Sequence, residues 1–376
     1  MADSLPTVWQ ADPHTLAKHK ILKLYLDAWM PILSRQAKKV GAPVPVIRFV
    51  DGFAGPGVYA KGQKGSPILA LEAALDHAIE FPIPVEFVFV ENDEDRFKSL
   101  RAELARYETR VAASPNVRVR PPVHKDCQLA INNALDHCER KGIPFGPALV
   151  FLDQFGYSAV PMSLIARIMK HPQCEVLSYL FWRDLDRFIS DASKHRGINT
   201  AFGSEEWTPA IDMPGPNRAI FLRDSYLQAL KARGGAKYVW PFSMLDANGR
   251  LLYWLFFCTN NIRGLFEMKR AMWKVDNAGT FTFSDQEGFD QLRLLATFDQ
   301  RWLSTEMARR LANRRLTVGD IHEFVLTETP CYLFKTALKT LEKSGQVKAI
   351  DPPPGRKPGE YPDDSLLMEF GPPLLM

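Results

Sequence analysis

Three carboxylates stand where apolar runs end, and the first of them opens a glycine-rich turn. The stretch Val46-Ile-Arg-Phe-Val-Asp51-Gly52-Phe53-Ala54-Gly55-Pro56-Gly57 joins a short apolar run to an acid and three glycines. Val85–Asp93 repeats the pattern, with Glu91 closing the apolar run and Asp93 two residues on. Ala148–Leu152 runs into Asp153, with Phe155 two residues beyond it and Gly156 next. Continuous apolar runs of this length suit strands buried on both faces of a parallel sheet. In an open α/β sheet, ligands bind at the carboxyl ends of the strands, where these acids would fall. Glycine has no Cβ to hold a ligand off, so Gly52, Gly55 and Gly57 suit a turn that lets the backbone come close. An acid at the end of a second strand is the residue type that hydrogen-bonds a ribose diol. Glu91 fits that position better than Asp93, because Asn92 and Asp93 also suit the cap of a helix over 95–107.

The elements that would carry these residues follow a strand–helix alternation. Residues 1–13 read as a loosely held arm, and His14–Lys38 as a helix that Pro31 kinks or splits. His19, Lys20 and Lys23 lie on or beside its apolar stripe, and a helix packed near the turn could lend them to a ligand. Ser66-Pro67 reads as a helix start with Ser66 as N-cap. The polar segment 52–65 before it reads as a mobile lid. Further strands are expected at 117–120 with Val123, at 148–152 and at 176–182, with a helix over 128–141. Residues 190–217, rich in Gly, Asn, Pro and Ser, read as an insertion placed around the substrate. Tyr238–Leu245, Asn248-Gly249 and Leu251–Thr259 read as a hairpin closed by a two-residue turn. Asn260-Asn261 opens a helix whose Met268, Met272 and Trp273 suit the core.

Composition bounds the class. A length of 376 residues implies two or three domains. The hydrophobic fraction of 46% and charged fraction of 24% are those of an ordinary globular protein. No apolar run approaches the roughly 20 residues that span a bilayer, and the first residues lack a signal-peptide pattern, so a cytoplasmic location is expected. Cys127, Cys138, Cys174, Cys258 and Cys331 are scattered, with no C-x-x-C pair, which argues against a zinc site or a disulfide framework. The net charge of +4 says little about a polyanionic partner.

From about Asp299 the character changes. Helices are expected from Leu303, capped by Ser304, then over 316–326 and 330–344, followed by a strand over 345–350, a Pro/Gly loop and a returning strand at 366–370. Lys335, Lys339 and Lys343 fall at i, i+4 and i+8 on the third helix, and Arg356 and Lys357 lie in the loop. Three helices and a hairpin with a basic tip resemble a winged helix, whose lysine-striped helix and wing would meet a phosphate backbone, expected to be that of DNA. Residues 300–376 nevertheless carry 11 Lys and Arg against 10 Asp and Glu, and such domains also dock proteins.

The pattern D-x-F-A-G-x-G at Asp51–Gly57 resembles motif I of class I S-adenosylmethionine-dependent methyltransferases. Asp153-Gln154-Phe155-Gly156 resembles their amino-methyltransferase motif IV, usually [DN]-P-P-[YF], with Gln154 and Phe155 in place of the prolines. In that motif the acid and the next carbonyl accept the protons of a substrate amino group, which aims its lone pair at the sulfonium methyl. Over residues 14–275 the chain resembles the three-Cys-motif partner (TcmP) family. The resemblance rests on His19-Lys20, Asp51–Gly57, Gly65-Ser66-Pro67, Val90-Glu91-Asn92-Asp93, Leu152–Gly156 and Leu252–Phe257. It implies a Rossmann-like class I methyltransferase sheet, doubly wound with an antiparallel terminal hairpin, followed by a C-terminal winged helix. The domains would be a helical arm at 1–40, a methyltransferase-like domain at 41–290 and the winged helix at 299–376. It also implies S-adenosylmethionine as cofactor, framed by Asp51, Phe53, Gly55 and Gly57, with Glu91 on the ribose and Asp126 on the adenine. Asp153 and Phe155 would receive the target, an amino group of a nucleic-acid base, and a radical-SAM protein with a three-cysteine motif is the implied partner. The rival readings are a non-catalytic partner that keeps the fold for binding, and a nuclease, for which no D-(x)n-E-x-K cluster is evident.

Overall fold

The computed structural model describes residues 7–8, 11–39, 46–154, 156, 160–171, 173–276, 282–284 and 300–372. The chain divides into two compact units, residues 1–275 with 282–290, and residues 276–281 with 291–376. Most of the expected N-terminal arm, and Phe155, lie outside the described residues.

The first unit contains, in chain order, α1 (Pro13–Lys39), β1 (Ile47–Asp51), α2 (Ser66–Leu75), β2 (Val85–Glu91), α3 (Glu94–Ala105), α4 (Glu108–Ala113), β3 (Val117–Val119), β4 (Val123–His124) and α5 (Cys127–Lys141). It continues with β5 (Ala148–Leu152), α6 (Met162–Met169), β6 (Cys174–Phe181), α7 (Trp182–Phe188), α8 (His195–Phe202), α9 (Gly215–Ala232), β7 (Tyr238–Leu245), β8 (Leu251–Thr259), α10 (Ile262–Trp273) and β9 (Thr282–Ser284). The sheet runs β3-β2-β1-β5-β6-β8-β7-β9, with β4 extending beside β2. β1 pairs in parallel with both β2 and β5, and β8 runs antiparallel to β6 and β7. This is a Rossmann-like α/β architecture. The chain moves outward from β1 to β3, then returns to β5 on the other side of β1. That reversal opens a crevice at the carboxyl ends of β1 and β5.

Strand periodicity sorts the side chains between two faces. Val50, Val150, Leu152, Val176 and Phe256 join the cluster built with α5, α6, α8 and α9. On the other face Phe49 stacks on Phe151, and Tyr25 of α1 meets Phe257 edge-on. α1 therefore belongs to this unit and packs against α2 and α10, which corrects the separate arm expected at 1–40. It also runs unbroken through Pro31. Proline leaves the carbonyl four residues back without its helical donor, and here the His77 ring meets the Asp27 carbonyl at 3.0 Å.

Three other expectations change. The segment 52–65 folds back on itself, with Tyr59 N–H donating to the Gln63 carbonyl and Gly65 N–H to that of Gly57, both at 2.8 Å. The stretch 190–217 joins the core on the α6/α9 side through Trp207, which is fully buried and donates to Asn199. The hairpin between β7 and β8 closes at Asp246 and Arg250, with Gly249 at φ +73°. It is therefore a three-residue loop with a left-handed glycine, stabilised by the Asp246 carboxylate, which accepts from Asn248 and Arg250 N–H.

The second unit contains α11 (Gln300–Arg310), β10 (Arg315–Thr317), α12 (Val318–Glu328), α13 (Lys335–Lys343), β11 (Val347–Ala349) and β12 (Leu367–Phe370), its strands ordered β10-β12-β11 and antiparallel. Ser304 sits inside α11, buried against the Ala337 carbonyl, instead of capping it. The real cap in this unit is Thr317, which with Asp320 forms a reciprocal capping box on α12. Among the described residues, no helix is long and apolar enough to cross a membrane.

Candidate functional site

Asp51, Glu91 and Asp153 share the odd-numbered face of their strands, the face that α1 and α2 cover. Asp51 is fully buried at the end of β1. Its Oδ1 accepts the Phe53 N–H at 3.1 Å, and its Oδ2 accepts the Ser66 hydroxyl at 2.6 Å. Ser66 is thus the first residue of α2 and not its cap, a position that Gly65 takes with extended backbone. Burial pushes the Asp51 carboxyl up to about 7 against the pull of these two hydrogen bonds, and neighbouring Asp153 adds to the rise.

The turn after Asp51 uses its glycines for different reasons. A Cβ on Gly52 would lie 2.6 Å from Cys127 Sγ and 3.1 Å from a Leu152 methyl, so this residue seats the turn on α5 and β5. Gly57 has φ +81°, and Gly65 packs directly on its backbone. Gly55, at φ +64°, faces open space, and it is the glycine available for close approach. Glu91 lies behind it. Its Oε2 accepts Gly55 N–H and its Oε1 accepts Asp93 N–H, both at 2.8 Å. Each oxygen keeps acceptor capacity for a further donor. Asp93 caps α3 through Arg96 N–H, and Asp126 is exposed and caps α5 through Leu129 N–H.

Asp153 is already engaged. The Lys18 ammonium of α1 forms a short ion pair with its Oδ2, with side-chain exposures of 8% for Lys18 and 20% for Asp153. The same ammonium lies 5.3 Å from the centre of the Tyr179 ring. Lys18, Asp153, Phe53, Gly55, Tyr59 and Ser66 line a cleft of about 150 Å³ between the start of α1 and the glycine turn. Two neighbours of its lining carry buried polar atoms with no hydrogen-bond partner among the described residues: His19, beside Tyr59, at both ring nitrogens, and Tyr179, beside Lys18, at its hydroxyl. Burial, then the Lys18 charge, holds His19 well below its ordinary pKa and so neutral. Burial likewise pushes the Tyr179 phenol up. Gln154 is 1% exposed and donates to the Tyr179 carbonyl at 2.8 Å, which fixes the strand ends together.

Lys18 was missing from the sequence reading, which singled out His19, Lys20 and Lys23. Lys20 and Lys23 are exposed, and Lys23 pairs with Asp27 one turn on. The signal for Lys18 is its spacing, four residues before Leu22 and seven before Tyr25, both fully buried. A lysine on a buried stripe needs a partner.

In the second unit Lys335, Lys339 and Lys343 are exposed along α13, opposite its buried Ala337, Leu338 and Leu341. Arg356, expected at a basic tip, turns inward. It holds Glu342 of α13 through two hydrogen bonds of 2.6 and 3.0 Å, the two side chains being 5% and 6% exposed. Gly359 N–H and the Tyr361 hydroxyl donate to the same carboxylate. Lys357 is exposed, but the loop 351–364 carries two basic residues against four acidic ones, so its tip is not basic. The chain matches no family model and no curated protein.

Proposed function

We propose that the first unit binds S-adenosylmethionine and transfers its methyl group to an amino group of a nucleic-acid base, as a three-Cys-motif-partner-like protein. The observation that carries the reading is the carboxyl edge at the strand reversal, where Gly55 is hydrogen-bonded to Glu91 and lines the same cleft as Asp153. The β8/β7 hairpin, with β8 antiparallel to β6, supports the class I methyltransferase resemblance. The residues suit the cofactor in part: Gly55 leaves open space beside a buried acid with acceptor capacity, and the Tyr179 hydroxyl, near Lys18 of the cleft, has no hydrogen-bond partner among the described residues. When bound, the cofactor would supply an electrophilic methyl group on a sulfonium. Phe53 and Gly55 would frame it and Glu91 would take a ribose hydroxyl. Alignment of the acceptor would carry most of the rate, because an amine lone pair needs little acid–base help. A base in a duplex would first be flipped out.

The second unit would act as a winged helix presenting Lys335, Lys339 and Lys343 to phosphates, and a radical-SAM protein would be the cellular partner. The test is transfer of labelled methyl groups from S-adenosylmethionine to duplex DNA and to RNA. Label that appears in nucleic acid, and is lost in Glu91→Ala, is the expected result. Cofactor binding without transfer to either polymer would remove the nucleic-acid acceptor.

A second reading is a non-catalytic partner that keeps the fold. It is favoured by Lys18, which already occupies the carboxylate that an acceptor amine would need. Failure of the pure chain to bind the cofactor would select it.

A further inference from the structure

We propose that Lys18 and Asp153 form a clamp for an α-amino-acid terminus, and that Asp153 therefore serves the cofactor's amino-acid arm and not the acceptor amine. The inference rests on the cofactor reading above and assigns the two charges at the end of the cleft.

Size comes first. The cleft holds about 150 Å³, well above the roughly 10–15 Å³ that a single water needs. That is the scale of an amino-acid arm. It is smaller than the about 300 Å³ at which sites for drug-sized ligands begin.

Charge comes second. Lys18 and Asp153 both line the cleft and balance each other, while Asp12 and His14, which line it too, lie 3.7 Å apart. A lone ammonium or a lone anion entering there would upset that balance and leave a poorly solvated charge. A zwitterion would not. Its carboxylate can take Lys18 while its ammonium takes Asp153, so that one internal pair becomes two and no charge is left alone. An acceptor amine would instead compete with Lys18 for the same oxygen.

Orphaned polar atoms come third. The Tyr179 hydroxyl is buried with no partner among the described residues, on the ring whose centre lies 5.3 Å from the Lys18 ammonium. Buried polar groups are seldom left unpaired, and those that are call for a ligand or water.

The experiment is calorimetric titration of the full chain with S-adenosylhomocysteine and with 5′-methylthioadenosine, which has the same nucleoside thioether but no amino-acid arm. Wild type should prefer S-adenosylhomocysteine by about tenfold or more, the worth of one charge-assisted hydrogen bond. Lys18→Met and Asp153→Asn should each bring the two affinities close together while methylthioadenosine binding stays as in wild type, which also shows that the variants fold. Lys18→Arg should keep most of the preference. Equal affinities in wild type, or a preference that survives Lys18→Met, would overturn the clamp alone. If neither compound binds wild type, the cofactor reading fails and the clamp with it.

Discussion

Asp51 shows how one buried group can set a pH dependence. Its folded pKa of about 7 stands above an ordinary value of 3.8. The folded state therefore holds a proton that the unfolded state has lost between these pH values. The resulting stabilisation is fully present below the ordinary value and is lost as pH rises through about 7. Asp51→Asn keeps the shape and removes the titration. Urea midpoints of wild type should fall relative to those of Asp51→Asn as pH goes from about 4 to about 7, and parallel curves would contradict this. Ser66→Ala, which removes a hydrogen bond to the charged form, should move the wild-type slope to higher pH. At this scale the sequence disclosed the acids but not what they hold. Asp51 and Glu91 were legible because each ends an apolar run. Lys18 was not, because its partner lies 135 residues away and only the fold brings them together.

The turn from β1 to α2 works as an element because Gly52 has no side chain. An added Cβ would collide with Cys127 Sγ and a Leu152 methyl, and overpacking of this kind costs about 1–3 kcal/mol. Gly52→Ala should destabilise by that amount, and the added Cys127→Ala should recover much of it, as a double-mutant cycle of chemical denaturation would show. Additive costs would mean that the two residues do not meet. α1 is tied at its other half by Glu175 of β6, which accepts from Tyr25 at 2.5 Å and Thr259 at 2.8 Å. The long apolar strands and their helices were legible from unbroken Val, Leu and Phe runs. The three-residue strands β9 and β10 were not, since three residues carry no period. The hairpin loop was misjudged because Asn-Gly alone does not say whether Asp246 will close a longer loop.

The whole chain joins two units whose roles are separable by experiment. In the second, burial works against the Glu342 charge, but the Arg356 guanidinium, the Gly359 N–H and the Tyr361 hydroxyl hold its carboxyl below the ordinary range. This contribution to stability is present above the ordinary carboxylate value and lost as pH falls through the lowered one. Arg356→Ala would leave Glu342 buried without its counter-charge, held only by the Gly359 N–H and the Tyr361 hydroxyl, at a cost of up to about 3–5 kcal/mol. Amide exchange in β11 and β12 should accelerate accordingly, and unchanged protection would show that the pair is dispensable. If α13 meets phosphates, replacing Lys335, Lys339 and Lys343 together should weaken duplex binding and reduce the slope of log K against log salt by about 3, whereas Lys357→Ala should matter less. The helix count of this unit was legible from its apolar spacing. The inward turn of Arg356 was not, since a Pro/Gly loop says nothing of where its arginine points. On the proposed function the carboxyl edge of the first unit holds S-adenosylmethionine. That binding is tested most directly by calorimetric titration of the pure, folded chain with S-adenosylhomocysteine, in wild type and Glu91→Ala. Saturable binding by wild type that Glu91→Ala weakens about tenfold or more is the predicted result. A wild-type chain that gives no binding heat and no thermal shift with the same compound would contradict it.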